Sequence, residues 1–474
     1  MGSKVIRVPL LAEPENRGSS VAQDSRIVNA FIEPVDRLTH QYHIYKRPGY
    51  GSQVVVNNNA AGMGMYTWNG NVYSIFAGIL YKNGAQVATG LDTTGGVYQF
   101  SEIKGATPKM VMNNGVQGYA YDDTALLSAN LHSINASYPQ YTVKGWAYIN
   151  GAQYVMQHFF GSSITPAVIW GSAINSVTVA GDWDPLDYIT AQIEPDSGVC
   201  LAKQVSYVVA FKQWSTEFFS DVGNPTGSPL APVPGSKIRF GCAHQDSVQN
   251  IEDVLVWLST NRSASLQVVM MVALSPQVIS TPAIERLLNG ASLSTVYSWQ
   301  LKVNGHIFYV LSITSINLTI AYDIAHQTWS QWTDGNGNYL PICASTYDGS
   351  GNKVIQHATN GSLYYMDSTY GDDNTTSIPV GIITPPFDGG NRRNKFVSMT
   401  EIVGDKQVGS FLTVQVSDDD YNSWSQPRQV SMGNERMLLP DCGTFRRRAW
   451  WIKFSCFGSM RISSLEVQIE EGAL

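Results

Sequence analysis

Charge is scarce in this chain. Asp, Glu, Lys and Arg make up 14% of its 474 residues, where an ordinary globular protein carries roughly a quarter. Uncharged polar groups must therefore cover much of the surface, as in turn-rich all-β proteins and in proteins whose outer faces are buried in assemblies. The charges sum to -7, with an isoelectric point near 5.6, which argues against a broadly nucleic-acid-binding surface while leaving room for a local basic stripe. Cysteine is also sparse: Cys200, Cys242, Cys343, Cys442 and Cys456 are odd in number, scattered and free of any Cys-x-x-Cys pair. That spacing indicates neither a zinc site nor a disulfide framework and suits a reducing cytoplasm. No window reaches 18 uninterrupted apolar residues, and MGSKVIRVPLL has no long apolar core or small-residue cleavage site. Neither a membrane span nor a signal peptide is expected. Also missing are GxSxG, HExxH, the phosphate-binding GxxxxGK[ST] and a GxGxxG after a strand, which weakens an enzymatic reading. No catalytic residue, cofactor or metal is assigned.

What the chain has is β grammar. With 43% hydrophobic residues and 42 glycines, runs rich in Val, Ile, Tyr, Phe and Trp alternate with Asn-Gly and Asp-Gly turns from Met65 onward, the hairpin signal. YTWNGNVYSIFAGILYKNG (66–84) reads as three strands and two turns, and the pattern returns in LKVNGHIFYVLSI (301–313) and VIQHATNGSLYYMD (354–367). Strand groups beginning near Val205, Val254, Tyr297 and Ile342 are spaced by 49, 43 and 45 residues, close to the period of a four-stranded propeller blade. The length alone suggests about three domains. The expected fold is all-β: an N-terminal arm or docking segment (1–64), a β-propeller-like domain with long loops (65–383), and a C-terminal β-sandwich-like domain (384–474). An array of β-sandwiches is the rival, and blade number is not readable. One short helix is expected in STPAIERLLNG (280–290), with Thr281 as cap, Pro282 in the first turn and Gly290 as stop.

Several polar groups invite a chemical reading. His40 and His43 would face opposite sides of a strand. SDDDYNSW (417–424) approaches the Ser-x-Asp-x-Gly-x-x-Trp turn of sialidase propellers, but Tyr421 stands where glycine favours positive φ, so a structural hairpin is expected. The pairs Asp372/Asp373 and Asp182/Asp184 are candidates for acid/base work on a glycan and, more simply, for turns and caps. Basic residues cluster at Arg392, Arg393 and Lys395 and at Arg446, Arg447 and Arg448. As a strand, the second cluster would place Arg446 and Arg448 on one face. These guanidinium groups are candidate partner or DNA-channel contacts, against the alternative of a charged edge that discourages aggregation. The uncharged stretch after Asp221, with Asn224, Pro225, Pro229, Pro232 and Pro234, reads as a long loop suited to burial against another subunit or along a lumen.

Four segments then fall in an informative order: GDWDPLDYITAQIEPDSGV (181–199), FKQWSTEFF (211–219) running into the Pro/Gly stretch, VISTPAIERLL (278–288), and GHIFYVLSI with AYDIAHQTWSQW (305–332). Together with SRIVNAFIEP and KRPGYG near the start and RRRAWWIKF near the end, they resemble the tail hub or nozzle protein of short-tailed bacteriophages, also called the packaged-DNA stabilisation protein. The resemblance implies a structural protein of the virion tail, made in the host cytoplasm. It implies a ring of subunits, six by family pattern, below the portal and in contact with the tail adaptor and other tail parts such as spikes, fibres or a needle. Genome DNA would pass through without sequence-specific grip, since a weakly acidic lumen gives phosphates no anchor. A propeller glycosidase or depolymerase and a receptor-binding fibre protein remain as alternative readings.

Overall fold

Hairpin turns set the frame. In the Asn-Gly pairs 69–70, 83–84, 150–151 and 304–305 both residues have positive φ, the conformation that matches the twist of a two-residue β-turn. The structure, a computed structural model, describes residues 3–10, 25–36, 41–124, 130–157, 167–263 and 265–472. Among them, seven antiparallel strand groups follow one another: blade 1 (62–89), blade 2 (99–121), blade 3 (147–191), blade 4 (198–232), blade 5 (249–278), blade 6 (296–331) and blade 7 (342–367), the last two joined through the sandwich strands into one larger sheet. The first strand of each blade touches the first strand of the next, and that of blade 7 touches that of blade 1. This closed cycle is a seven-bladed β-propeller.

Each blade is apolar on both faces because it packs between two others. In the strand Val254–Thr260, Val256 and Leu258 join the core shared with blade 6, while Leu255 and Trp257 join the core shared with blade 4. Equivalent clusters fill every other gap between blades. The expected helix is present as Pro282–Leu288, and the Thr281 side chain accepts from the Ile284 N–H.

The propeller is closed by a distant strand. Gly49–Val55 pairs with Ser362–Asp367 as the outermost strand of blade 7. The remaining N-terminal strands build a sandwich with the C-terminal ones. Its first sheet combines Ala30–Asp36 and Gln41–Lys46 with Arg461–Glu471, Lys395–Gly404 and Met437–Pro440. The second combines Arg26–Val28 with Thr376–Ile383, Ala449–Cys456, Phe411–Ser417 and Arg428–Ser431. Ile44, Val397, Ile402 and Val467 meet Ile27, Ile382, Leu412, Val414 and Trp450 between them. The described strands of segment 1–64 are thus built into the sandwich and blade 7 instead of standing apart as an arm, and Thr376–Ile383 pairs with the sandwich strands. Hydrogen bonds between strands over three hundred residues apart leave no trace in local pattern.

At the junction Arg47, 1% exposed, places its guanidinium on the Asp373 carboxylate at 3.0 and 2.5 Å. Its remaining N–H groups go to Asn29 Oδ1 and to the carbonyls of Pro48 and Thr333. Asn29 in turn donates to Thr333 Oγ1 and the Pro379 carbonyl. Lys46, also buried, donates to the carbonyls of Gly371, Cys456 and Gly458.

Blade 7 also holds a titratable group in its neutral form. Burial lowers the His357 pKa to about 4, and its Nδ1 accepts backbone N–H bonds from Thr359 and Asn360 at 3.2 and 3.1 Å. The unfolded chain takes up this proton near pH 6.5 and the folded chain only near 4, so the unfolded state binds more protons between these values. Stability contributed here is therefore lost as pH falls through that window. We expect His357→Asn, which keeps an acceptor without titrating, to flatten the acid limb of urea-unfolding stability by up to about 1.4 kcal/mol per pH unit. Parallel limbs in the two proteins would contradict the assignment.

Candidate functional site

The two basic clusters, fifty residues apart, converge on one edge of the sandwich because Lys395 pairs with Phe445 and Phe396 with Thr444. They do not act alike. Lys395 is fully buried and donates to Asn391 and to the Arg393 carbonyl, so it shapes the 391–395 turn and is not available to a ligand. Arg448 is 3% exposed; it grips Asp418 at 2.6 and 2.8 Å, donates to the carbonyls of Cys442 and Thr444, and lies over the Phe445 ring. Arg446 is exposed and reaches Asn394 Oδ1 at 2.8 Å. The expected shared face fails because the chain bends at residues 446 and 447, which breaks strand alternation. Arg447 lies 3.5 Å from Asp420, and Arg392 lies 3.4 Å from Asp388. With the exposed Arg393, these leave Arg392, Arg393, Arg446 and Arg447 as the solvent-facing cations of this edge.

The proline-rich stretch is shorter as a loop than its composition suggests. Leu230–Pro232 is the fourth strand of blade 4, pairing with Thr216–Asp221. Pro232 tolerates that place because an outermost strand leaves one side of its backbone unpaired. The turn between the strands is held by Asn224 Nδ2, which donates to the Ser228 carbonyl at 3.1 Å. Pro225 is exposed, Pro229 is half-buried, and Pro234 follows in the link to blade 5. This turn lies on an apolar rim: Gly227 packs against the Leu186 carbonyl, Asn150 bonds Asp221, and Ile174 lies against Gly151. Ile174, Leu186 and Val222 are 74%, 72% and 55% exposed.

On the propeller axis, the first strands enclose a cavity of about 310 Å³ lined by Tyr66, Phe100, Gln249, Ser298 and Ser345. Lys144 Nζ meets the Asp246 carboxylate at 2.7 and 2.8 Å above it, joining the approaches to blades 3 and 5. A duplex, whose major groove alone is about 12 Å wide, does not fit this axis. The tempting carboxylates are structural. Asp182 accepts from Ser176 Oγ and Val179 N, Asp184 accepts from Leu186 N, and Asp373 holds Arg47. In the sialidase-like turn, Tyr421 does adopt φ 68°, and its hydroxyl donates to the Thr384 carbonyl at 2.9 Å. Asp419 accepts from Ser423 and Ser417, which holds its carboxyl below the ordinary value. His40 lies outside the described residues. His43 is pushed below its ordinary pKa, first by burial and then by Arg461.

One cluster escaped the sequence reading. His306, Asp323 and His326 bring three potential ligand atoms within 4.8 Å of one another. Burial favours the neutral Asp323 carboxyl, but hydrogen bonds from His306 and His326 outweigh it and keep the pKa below the ordinary value. The available signal was the three-residue spacing of Asp323 and His326, hidden inside a segment read as framework.

A family model described as bacteriophage P22 Gp10, beta-propeller, matches residues 16–371. The chain belongs to that family. The match to the P22 Gp10 family ends where the chain leaves blade 7, so the C-terminal strands of the sandwich lie beyond it. Membership makes this a structural protein of a phage virion, of the stabilisation class. No curated protein matches the chain. Among solved structures it is similar to the extracellular domains of two hybrid two-component systems of B. thetaiotaomicron. For BT4673 the identity is 6% and the TM-score 0.40 over 68% of this chain, and for BT3049 they are 10% and 0.42 over 90%. The chain spans 39% and 59% of those two domains. An exo-beta-1,3-galactanase from Phanerochaete chrysosporium is 10% identical over 88% of this chain and all of its own, with a TM-score of 0.30. Likenesses at these scores carry no functional argument. Among the described residues, no helix is long and apolar enough to cross a membrane.

Separating the arginines by burial gives a direct expectation for this P22 Gp10 family member. Arg448→Ala should lower unfolding stability by about 2–3 kcal/mol, since it removes a buried side chain from the Phe445 ring and leaves the Cys442 and Thr444 carbonyls without their donor. Arg446→Ala should stay within about 0.5 kcal/mol. Equal losses in urea titrations would contradict the division.

Proposed function

We propose that this phage structural protein is the tail hub, or nozzle: a sixfold ring below the portal and the tail adaptor, contacting spikes, fibres or a needle. It retains packaged DNA and takes part in its ejection. The observation that carries the reading is the family match, which spans the propeller from end to end. The geometry adds a constraint. Because the axis of a single propeller is too narrow for a duplex, a DNA channel has to lie between subunits, at the centre of a ring. With an overall charge of -7, such a wall repels phosphates weakly and lets a duplex slide. Arg392, Arg393, Arg446 and Arg447 are candidates for the opposite duty, a local contact with an acidic partner or with phosphates. Glycan cleavage is the weaker reading, because Asp182, Asp184 and Asp373 are occupied in turns and an ion pair, which leaves neither pair with two free carboxylates.

The apolar rim at blades 3 and 4 is the surface we assign to ring contacts, with the 222–229 turn as part of it. Exposed apolar side chains grouped on one surface mark sites of association. The double change Leu186→Asp with Val222→Asp should leave subunit stability within about 0.5 kcal/mol while abolishing ring formation on assembling tails, scored by native electrophoresis and negative-stain microscopy. Normal rings from the double variant would remove this surface from the contact.

A further inference from the structure

The His306, Asp323 and His326 cluster has the make-up of a metal site. Nδ1 of His306 and Nδ1 of His326 lie 2.6 and 2.8 Å from the same Asp323 oxygen, Oδ2. Two of the three side chains are 1% exposed and His326 is 20% exposed, so the cluster is enclosed yet open to solvent on one side. The residues sit on rigid elements. His306 opens the strand His306–Ile313, Asp323 closes Leu318–Asp323, and His326 lies in the turn that follows. The two imidazole rings lie 4.5 Å apart between centroids, tilted by 40°. Phe31 crosses the His306 ring at 4.6 Å, and Phe308 stacks on it at 5.8 Å. Among the described residues, Asp323 forms no ion pair with Lys or Arg; its only such partners are the two imidazoles.

We propose that these three side chains bind a divalent transition-metal ion of the zinc type, with water in the fourth position on the His326 side. Two imidazoles and a carboxylate are a donor set suited to zinc and its neighbours, and three protein ligands with one open position is a familiar arrangement for zinc. A tetrahedral site with bonds of about 2.1 Å separates its ligand atoms by about 3.4 Å, so insertion requires the imidazoles to withdraw by about 0.7 Å. His306 is held by its aromatic neighbours, and the turn carrying His326 supplies the movement. The far nitrogen of His306, Nε2, lies 3.8 Å from a Glu33 carboxylate oxygen. At that distance the two are not hydrogen-bonded, but Glu33 is 42% exposed and a side-chain rotation would bring it to the place of the outer carboxylate that orients a metal-bound histidine. Glu33 stands on the sandwich strand Ala30–Asp36, so the ion would clip blade 6 to the sandwich beside the Arg47 junction.

The test uses the untagged full chain, stripped with a chelator and titrated with ZnCl2 by calorimetry, with bound metal counted by mass spectrometry. About one equivalent per chain and a raised unfolding midpoint are expected. His326→Ala, its fold checked by circular dichroism, should weaken binding by about 100-fold or more, and Glu33→Gln by about tenfold. Absence of uptake by the native chain overturns the proposal, as does His326→Ala binding zinc like the native chain. A midpoint that depends on His326 and on pH, without zinc uptake, also overturns it and leaves a proton-bridged histidine-carboxylate network.

Discussion

Arg47 spends every donor it has at one place. Its five N–H groups go to Asn29, Pro48, Thr333 and both oxygens of Asp373, and these partners belong to the N-terminal strands, the end of blade 6 and the strand leaving blade 7. A lysine could not replace it, since an ammonium has three donors and no planar fork. Removing one member of such a buried pair costs about 3–5 kcal/mol, against a net folding stability of only about 5–15 kcal/mol. Everything else depends on this junction. The strand that closes the propeller leaves Arg47 within two residues, and the sandwich is assembled from the chain on either side of it. Propeller closure and the sandwich therefore share one buried ion pair.

The blade grammar was legible because hairpins are local. Asn-Gly turns and β-branched runs gave the strands, and spacing near a blade period gave the propeller, although the register slipped: Val205 lies in a turn and Val254 opens a second strand, whereas Tyr297 and Ile342 lie in first strands. The propeller's closure was illegible because Gly49–Val55 finds its partner at Ser362–Asp367. Burial was the other blind spot. Lys395 and Arg448 read as surface cations by composition, but the fold uses each as a buried donor for its own loop. The segments behind the family resemblance turn out to hold buried charge: Asp196, Lys212 and Glu217 form a closed cluster at 2.9 and 2.5 Å in blade 4 and the turn before it. Such a cluster tolerates little substitution, since any one change leaves a buried charge unpaired.

Scarcity of charge acquires a structural meaning. Blades packed on both faces need apolar residues in every inner position, which leaves only turns and outer strands to carry polar groups. Much of that surface is neutral, and one part of it exposes Leu186 and Val222 among polar turn residues. A virion component that meets copies of itself and other structural proteins can present such a surface. The axial cavity is small, with the Lys144–Asp246 ion pair beside it, so any role in conducting DNA has to come from the arrangement of several propellers and not from the bore of one.

The most direct test of the hub assignment is cryo-electron microscopy of virions carrying a small tag inserted into this chain, with the tag located by gold or antibody. The assignment predicts label in a closed ring around the tail axis, below the portal, with the propellers arranged about a channel wide enough for a duplex. Label on peripheral spikes, or particles without it, would contradict the assignment.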